Sequence, residues 1–169
     1  MIHLYTGDGK GKTTAAMGLA LRALGRGKRV VCAQFLKGGK SGEILALEKL
    51  EGFTRVPTPA QVKFVFQMTK EEKADCAKDC ARMLFEAVKD AGDADVLVLD
   101  EICAALTLGM LAQREVLEAL DALSARAEIV LTGRDAPAWL SARADYISEI
   151  RAVRHPYAQG VPAREGIEF

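Results

Sequence analysis

The octapeptide Gly7-Asp8-Gly9-Lys10-Gly11-Lys12-Thr13-Thr14 constrains this chain more than any other feature. It sits between a short apolar run, Ile2–Tyr5, and a helical stretch, Thr13–Leu24, that is closed by Gly25 and Gly27. A strand, a glycine-rich loop and a helix in that order form a phosphate cradle. Glycines let successive backbone N–H groups turn inward around phosphate oxygens, and the helix adds its positive amino end. Lys12 then neutralises phosphate charge, and the Thr13 hydroxyl is placed to join a magnesium shell. The G-x-x-x-x-G-K-[ST] spacing fails at one position, because Thr6 stands where the first glycine belongs, so the loop reads as a shortened variant. A flexible turn with incidental lysines is the competing reading, and the flanking strand and helix argue against it.

Further strand and helix signals alternate along the chain. Arg29–Phe35 (RVVCAQF), Asp95–Asp100 (DVLVLD), Glu128–Thr132 (EIVLT) and Tyr146–Ile150 read as strands. Thr69 to Glu72 has capping-box spacing ahead of a helix face on Ala77, Ala81, Leu84, Val88 and Ala91, and Glu115–Leu123 reads as a further helix. Phe53 to Gln67 carries Pro57 and Pro59, and its alternating Phe64-Val65-Phe66 has the form of a short edge strand. Alternating strands and helices imply an α/β fold: a three-layer sandwich with a mostly parallel sheet and ligands at the carboxyl ends of its strands. The segments 7–14, 37–43, 100–101 and 133–134 all follow strand ends, so one site can gather them.

At 169 residues, half of them apolar, the expectation is one domain spanning 1–169. Basic and acidic residues balance at 23 each, so no overall field draws the chain to nucleic acid or an anionic membrane, and a phosphate site must be built locally. No apolar run approaches the ~18 residues of a membrane span, and the glycine loop begins too early to leave room for a signal peptide. Cys32, Cys76, Cys80 and Cys103 lie in apolar or helical stretches, as reduced thiols of a cytoplasmic protein would. Cys76 and Cys80 share a helix face; packing is the expectation, with a metal pair as the alternative.

Asp100-Glu101 ends the apolar Val96–Leu99 run as an acid pair does when it partners a phosphate loop, where a carboxylate binds magnesium directly or through water. Acids also favour helix amino termini, which is the plainer explanation. Arg134, after Thr132-Gly133, is placed to reach phosphate or ribose, with an ordinary surface arginine as the alternative. Gly38-Gly39-Lys40-Ser41 reads as a substrate-side loop rather than a second phosphate loop, and Trp139 reads as core.

Taken with Gln34-Phe35-Leu36-Lys37-Gly38, Asp100-Glu101-Ile102, Thr132-Gly133-Arg134 and the tail from His155 to Phe169, the loop resembles that of the P-loop ATP:corrinoid adenosyltransferases, whose loop is also the shorter form. The resemblance implies a RecA-like homodimer that takes ATP in reversed orientation, with the loop on the terminal phosphate. Co(I) of a reduced corrinoid, cobalamin or a precursor such as cob(I)yrinic acid a,c-diamide, attacks the ribose 5′-carbon, and triphosphate leaves. An electron-donating reductase supplies the Co(I). By motif, Gly9, Lys10, Gly11, Lys12, Thr13 and Thr14 bind phosphate, Thr13 and Glu101 hold magnesium or manganese, and Asp100 lies beside it. Cobalt is the nucleophile, so positioning and electrostatics carry the catalysis.

Two departures stand out. Many members carry a Gly-Phe-Thr-Trp element that crowds the lower face of the corrin; here Gly52-Phe53-Thr54 is followed by Arg55, and Phe64 and Phe66 are the substitutes the sequence offers, with simple core filling as the equal alternative. The chain is also expected to lack the long amino-terminal extension of some members. Two rival functions have distinct signatures: a P-loop ATPase or small-molecule kinase makes ADP, and a corrinoid carrier consumes no ATP.

Overall fold

The computed structural model describes residues 1–38 and 41–168, so Gly39, Lys40 and the terminal Phe169 of the motifs above lie outside the described residues. In chain order the elements are β1 (Ile2–Thr6), α1 (Lys12–Leu24), β2 (Val30–Gln34), α2 (Gly42–Leu47), β3 (Phe53–Arg55), α3 (Lys70–Asp90), β4 (Val96–Asp100), α4 (Ile102–Thr107), α5 (Gln113–Leu123), β5 (Glu128–Thr132), α6 (Ala138–Arg143) and β6 (Tyr146–Glu149). The six strands form one sheet in the order β3-β2-β4-β5-β1-β6. All five pairings are parallel.

Why these strands sit centrally follows from their side chains. Every residue of β2 and β4 is buried, as expected where helices cover both faces. Successive side chains alternate between two cores. Val31, Ala33, Leu97, Leu99, Ile129 and Leu131 face the core shared with α3, α4 and α5, whereas Val30, Cys32, Val96, Val98 and Val130 face the one shared with α1 and α2. The result is the three-layer α/β sandwich, with its loops gathered at the carboxyl edge of the sheet.

Helix α3 begins where its sequence dictates. Thr69 Oγ1 accepts from the Glu72 N–H at 3.2 Å, and Glu72 Oε2 accepts from the Thr69 N–H at 2.9 Å, closing the capping box. Its buried face is Cys80, Met83, Leu84 and Ala87. Cys76 and Cys80 pack against the same core, as expected of apolar thiols; burial, with Cys76 alongside, pushes the Cys80 thiol up to about 12. Trp139 is half-buried at the rim of that core.

The segment from Phe53 to Gln67 departs from expectation. The edge strand is Phe53–Arg55, paired with β2, while Val65–Gln67 is a single 3-10 turn. Because β3 already covers the free edge of β2, and Pro57 and Pro59 lack the N–H a ladder needs, the chain leaves the sheet before reaching Phe64. Helices α2, α4 and α6 were not anticipated; at six residues each they are too short to show a helical period. Among the described residues, no helix is long and apolar enough to cross a membrane.

Candidate active site

The loop between β1 and α1 is held open by glycines at the points where no other residue fits. Gly7 and Gly11 have φ of 104° and 122°, which L side chains rarely adopt. A Cβ on Gly7 would lie 2.4 Å from the Ile150 carbonyl oxygen, and one on Gly9 would lie 2.7 Å from the Arg151 carbonyl carbon. Thr6 explains the missing first glycine: it is still extended strand, paired with Glu149 of β6, and needs no special conformation. The Gly9 N–H, expected to face phosphate, instead donates to the Ile150 carbonyl at 2.8 Å. Asp8 Oδ1 accepts from the Ala152 N–H at 3.0 Å, so this carboxylate ties the loop to the segment after β6. The first turn of α1 offers donors to an anion: Lys12, Thr13 and Thr14 precede the first i→i−4 bond, from Ala15 to Gly11.

Lys12 is only 7% exposed, and its ammonium donates to the carbonyls of Gly7 and Gly9, both at 2.7 Å. Its charge thus stands inside the loop with neutral partners. Burial and the neighbouring Arg134 depress its pKa, against the opposing pull of Glu101, Asp8 and Asp100.

Behind the loop lies a network centred on Asp100, which is fully buried. Asp100 Oδ1 accepts from the Thr13 hydroxyl at 2.9 Å and the Thr132 hydroxyl at 2.6 Å. Asp100 Oδ2 accepts from the Gln34 amide at 3.0 Å and the Lys37 ammonium at 2.6 Å. Burial alone would raise the pKa of this carboxyl, but the Lys37 charge and the hydrogen bonds from Lys37, Thr132 and Gln34 outweigh it, so it lies below the ordinary range. Thr132 also accepts from the Glu101 N–H at 2.9 Å. That bond helps hold Glu101 in a left-handed conformation, φ 60°, with its side chain at the cleft.

Leu36 and Asp135 are left-handed too, with φ of 54° and 50°. All three follow the carboxyl ends of central strands β2, β4 and β5. Such strain costs of order 1–3 kcal/mol per residue and persists where surrounding structure imposes it, characteristically at functional sites.

The cleft at this sheet edge has a volume of about 760 Å³ and is lined by Gly9 to Thr14, Lys37, Glu101 and Arg134, together with His155 and Gly166 to Glu168 of the tail. A pocket of this size takes a nucleotide-sized ligand. The sequence-assigned residues Gly9 to Thr14, Glu101 and Arg134 therefore converge, with Asp100 directly behind them. Sequence reasoning missed Gln34, Lys37 and Thr132 as members of the acid's network, although all three stand in motifs already singled out. Register supplies the missing signal: Gln34 is directly beside Asp100 in the sheet, and Leu131 pairs with Leu99, which brings Thr132 level with the acid.

Phe64 and Phe66 are outside this cleft. They are 70% and 80% exposed and stacked on each other, centroids 5.5 Å apart and planes at 17°. Neither ring fills core. Their loop nonetheless abuts the site, because a Cβ on Gly38 would lie 2.7 Å from the Val62 nitrogen.

Comparison with known proteins agrees with this geometry. A model of the family described as ATP:corrinoid adenosyltransferase BtuR/CobO/CobP matches residues 1–169. The corrinoid adenosyltransferase CobA of Salmonella typhimurium is 35% identical, covering 100% of this chain and 85% of its own. The corrinoid adenosyltransferases of Escherichia coli K12 and Pseudomonas aeruginosa are 34% and 32% identical, again over 100% of this chain and covering 85% and 83% of theirs. Among solved structures, the RadB recombinase superposes with a TM-score of 0.53 at 16% identity, covering 91% of this chain and 76% of that one, a likeness of fold alone. Because the family match runs from the first residue to the last on a parallel sheet with its phosphate loop in place, the chain belongs to the ATP:corrinoid adenosyltransferase family.

Proposed function

We propose that residues 1–169 act as one nucleotide-binding domain that transfers the 5′-deoxyadenosyl group of ATP to the Co(I) of a corrinoid, cobalamin or a precursor such as cobyrinic acid a,c-diamide, and releases triphosphate. The observation that carries this reading is a phosphate loop whose cleft gathers cations and N–H donors and, among the described residues, no reactive thiol. Lys12, Arg134 and the first-turn N–H groups of α1 converge there, whereas the thiols of Cys32 and Cys103 are buried and raised in pKa, chiefly by that burial. Such a site stabilises a departing polyphosphate, and it leaves the attack to a nucleophile carried by the second substrate. Lys12 holds charge where the triphosphate accumulates it, and Arg134 in the same cleft binds phosphate or ribose.

A divalent cation fits the donors present. The Thr13 hydroxyl, Asp100 and Glu101 offer hard oxygen ligands of the kind magnesium or manganese takes. Among the described residues, no group of three or more His, Cys, Asp or Glu could hold a metal. That is in keeping with an ion that draws most of its shell from phosphate and water. When bound, it would neutralise phosphate charge beside Lys12.

Anaerobic incubation with Co(I) corrinoid and ATP should consume ATP only when the corrinoid is present. Corrinoid-independent turnover would favour an ATPase instead.

The exposed Phe64–Phe66 pair supports a second part of the reading: these rings form the apolar wall on which the corrin's lower face rests. Exposed stacked aromatics have no folding role to explain them, and they gain once a ring system covers them. The pair would serve a homodimer whose Co(I) is made from Co(II) on the enzyme by a reductase. Phe64→Ala with Phe66→Ala should slow adenosylation from Co(II) by about tenfold or more, one ring contact of roughly 1.5 kcal/mol being worth that factor. With Co(I) already prepared the loss should be much smaller, and the melting temperature should hold. Equal losses in both assays with a lowered melting temperature would sink the idea.

A further inference from the structure

Asp100 has no lone pair to spare. Its four hydrogen-bond partners fill the roughly four acceptor positions of a carboxylate. Three of those partners are fixed in place: Gln34 ends β2, Thr132 ends β5 and Thr13 is in the first turn of α1. Lys37 differs from them in every respect that matters. It follows the left-handed Leu36 on a loop, its side chain is about a third exposed (33%), and it carries charge on a flexible stem. Its ammonium also donates to Thr13 Oγ1 at 3.0 Å, so it bridges the two groups, hydroxyl and carboxylate, that a divalent cation would contact.

We propose that Lys37 is a displaceable counter-ion: its ammonium and a divalent cation compete for one position between Thr13 and Asp100. This inference rests on the metal-dependent reading above and goes beyond it by assigning an order of events. A doubly charged ion cannot enter beside a retained ammonium without strong like-charge repulsion. The carboxylate cannot be left buried without a cationic partner either. Lys37 therefore balances Asp100 until a metal replaces it. Because Lys37 lines the same cleft as Lys12, nucleotide phosphate gives the displaced ammonium a new partner. The metal accordingly binds with the nucleotide rather than ahead of it. By thermodynamic linkage, ATP must tighten metal binding by the same factor as metal tightens ATP.

The test is manganese binding at pH 8, by electron paramagnetic resonance or calorimetry, with and without ATP and with no corrinoid present. Wild-type protein should bind manganese weakly alone and far more tightly with ATP. Lys37→Met and Lys37→Gln should bind manganese alone at least about tenfold more tightly, the worth of a shift of one pKa unit or about 1.4 kcal/mol, and show correspondingly less enhancement by ATP. Lys37→Arg, which keeps the charge, should stay weak. If Lys37→Met fails to fold for want of a partner to Asp100, the Gln and Arg variants decide alone. Unchanged or weaker manganese affinity in folded, charge-free variants overturns the proposal. Since no corrinoid is used, that outcome leaves the adenosyl-transfer reading untouched, just as failure of adenosyl transfer would leave this competition standing.

Discussion

Lys12→Ala should lower turnover by about two to three orders of magnitude, the usual cost of removing one well-placed donor to developing negative charge. The ammonium is buried against the Gly7 and Gly9 carbonyls, so its position is set before any substrate arrives. No other lysine stands inside the loop in this way; Lys10 is exposed. Removing it leaves two carbonyls without their donor, a loss of about 1 kcal/mol each once water from the cleft takes the vacated place. The melting temperature should therefore fall by only a few degrees while kcat collapses, because the lost interaction is strongest once the leaving triphosphate gathers charge. Retention of more than about a tenth of the wild-type rate, less than 1.4 kcal/mol of barrier, would contradict that role.

Asp100→Ala should be the most destabilising change in the site, at about 3 kcal/mol, the lower end for breaking a buried ion pair, because the partly exposed Lys37 can turn to solvent. Gln34 and Thr132 cannot escape in that way, and both are buried. For a chain of this size the loss corresponds to a fall of roughly 6–12 °C in melting temperature. A pH signature should accompany it. The folded carboxyl lies below the unfolded value of about 3.9, so its contribution is fully present above that value. It is lost as pH falls through the lower, folded value, since the unfolded chain takes up the proton first. Wild-type stability should thus decline on acidification below about pH 4 more steeply than that of Asp100→Ala. Equal acid limbs, or a melting temperature within about 2 °C of wild type, less than 1 kcal/mol, would remove Asp100 from the centre of the network.

Legibility differed by element, for physical reasons. β4 and β5 could be read from the sequence because a strand covered on both faces must be apolar throughout, and Val96–Leu99 and Ile129–Leu131 are so. The capping box made the start of α3 readable to within a residue. Phe64-Val65-Phe66 misled because alternation describes side-chain chemistry and says nothing of whether a free sheet edge remains to pair with. The loop, Glu101 and Arg134 were legible because their chemistry is local to short motifs. The partners of Asp100 were not, since Gln34 and Thr132 meet it only through strand order and register. Asp8 and the Gly9 N–H lay within the right motif, but contacts with Ile150 and Ala152, more than a hundred residues away in sequence, commit them to holding the loop.

The central claim is that this cleft holds a triphosphate as it departs from carbon, rather than a phosphoryl group in transfer. The most direct test is the identity of the products after anaerobic turnover with ATP and Co(I) corrinoid. Adenosylated corrinoid and inorganic triphosphate should appear in equal amounts, with no ADP. ADP appearing in step with ATP consumption, while the corrinoid remains unmodified, would contradict the account.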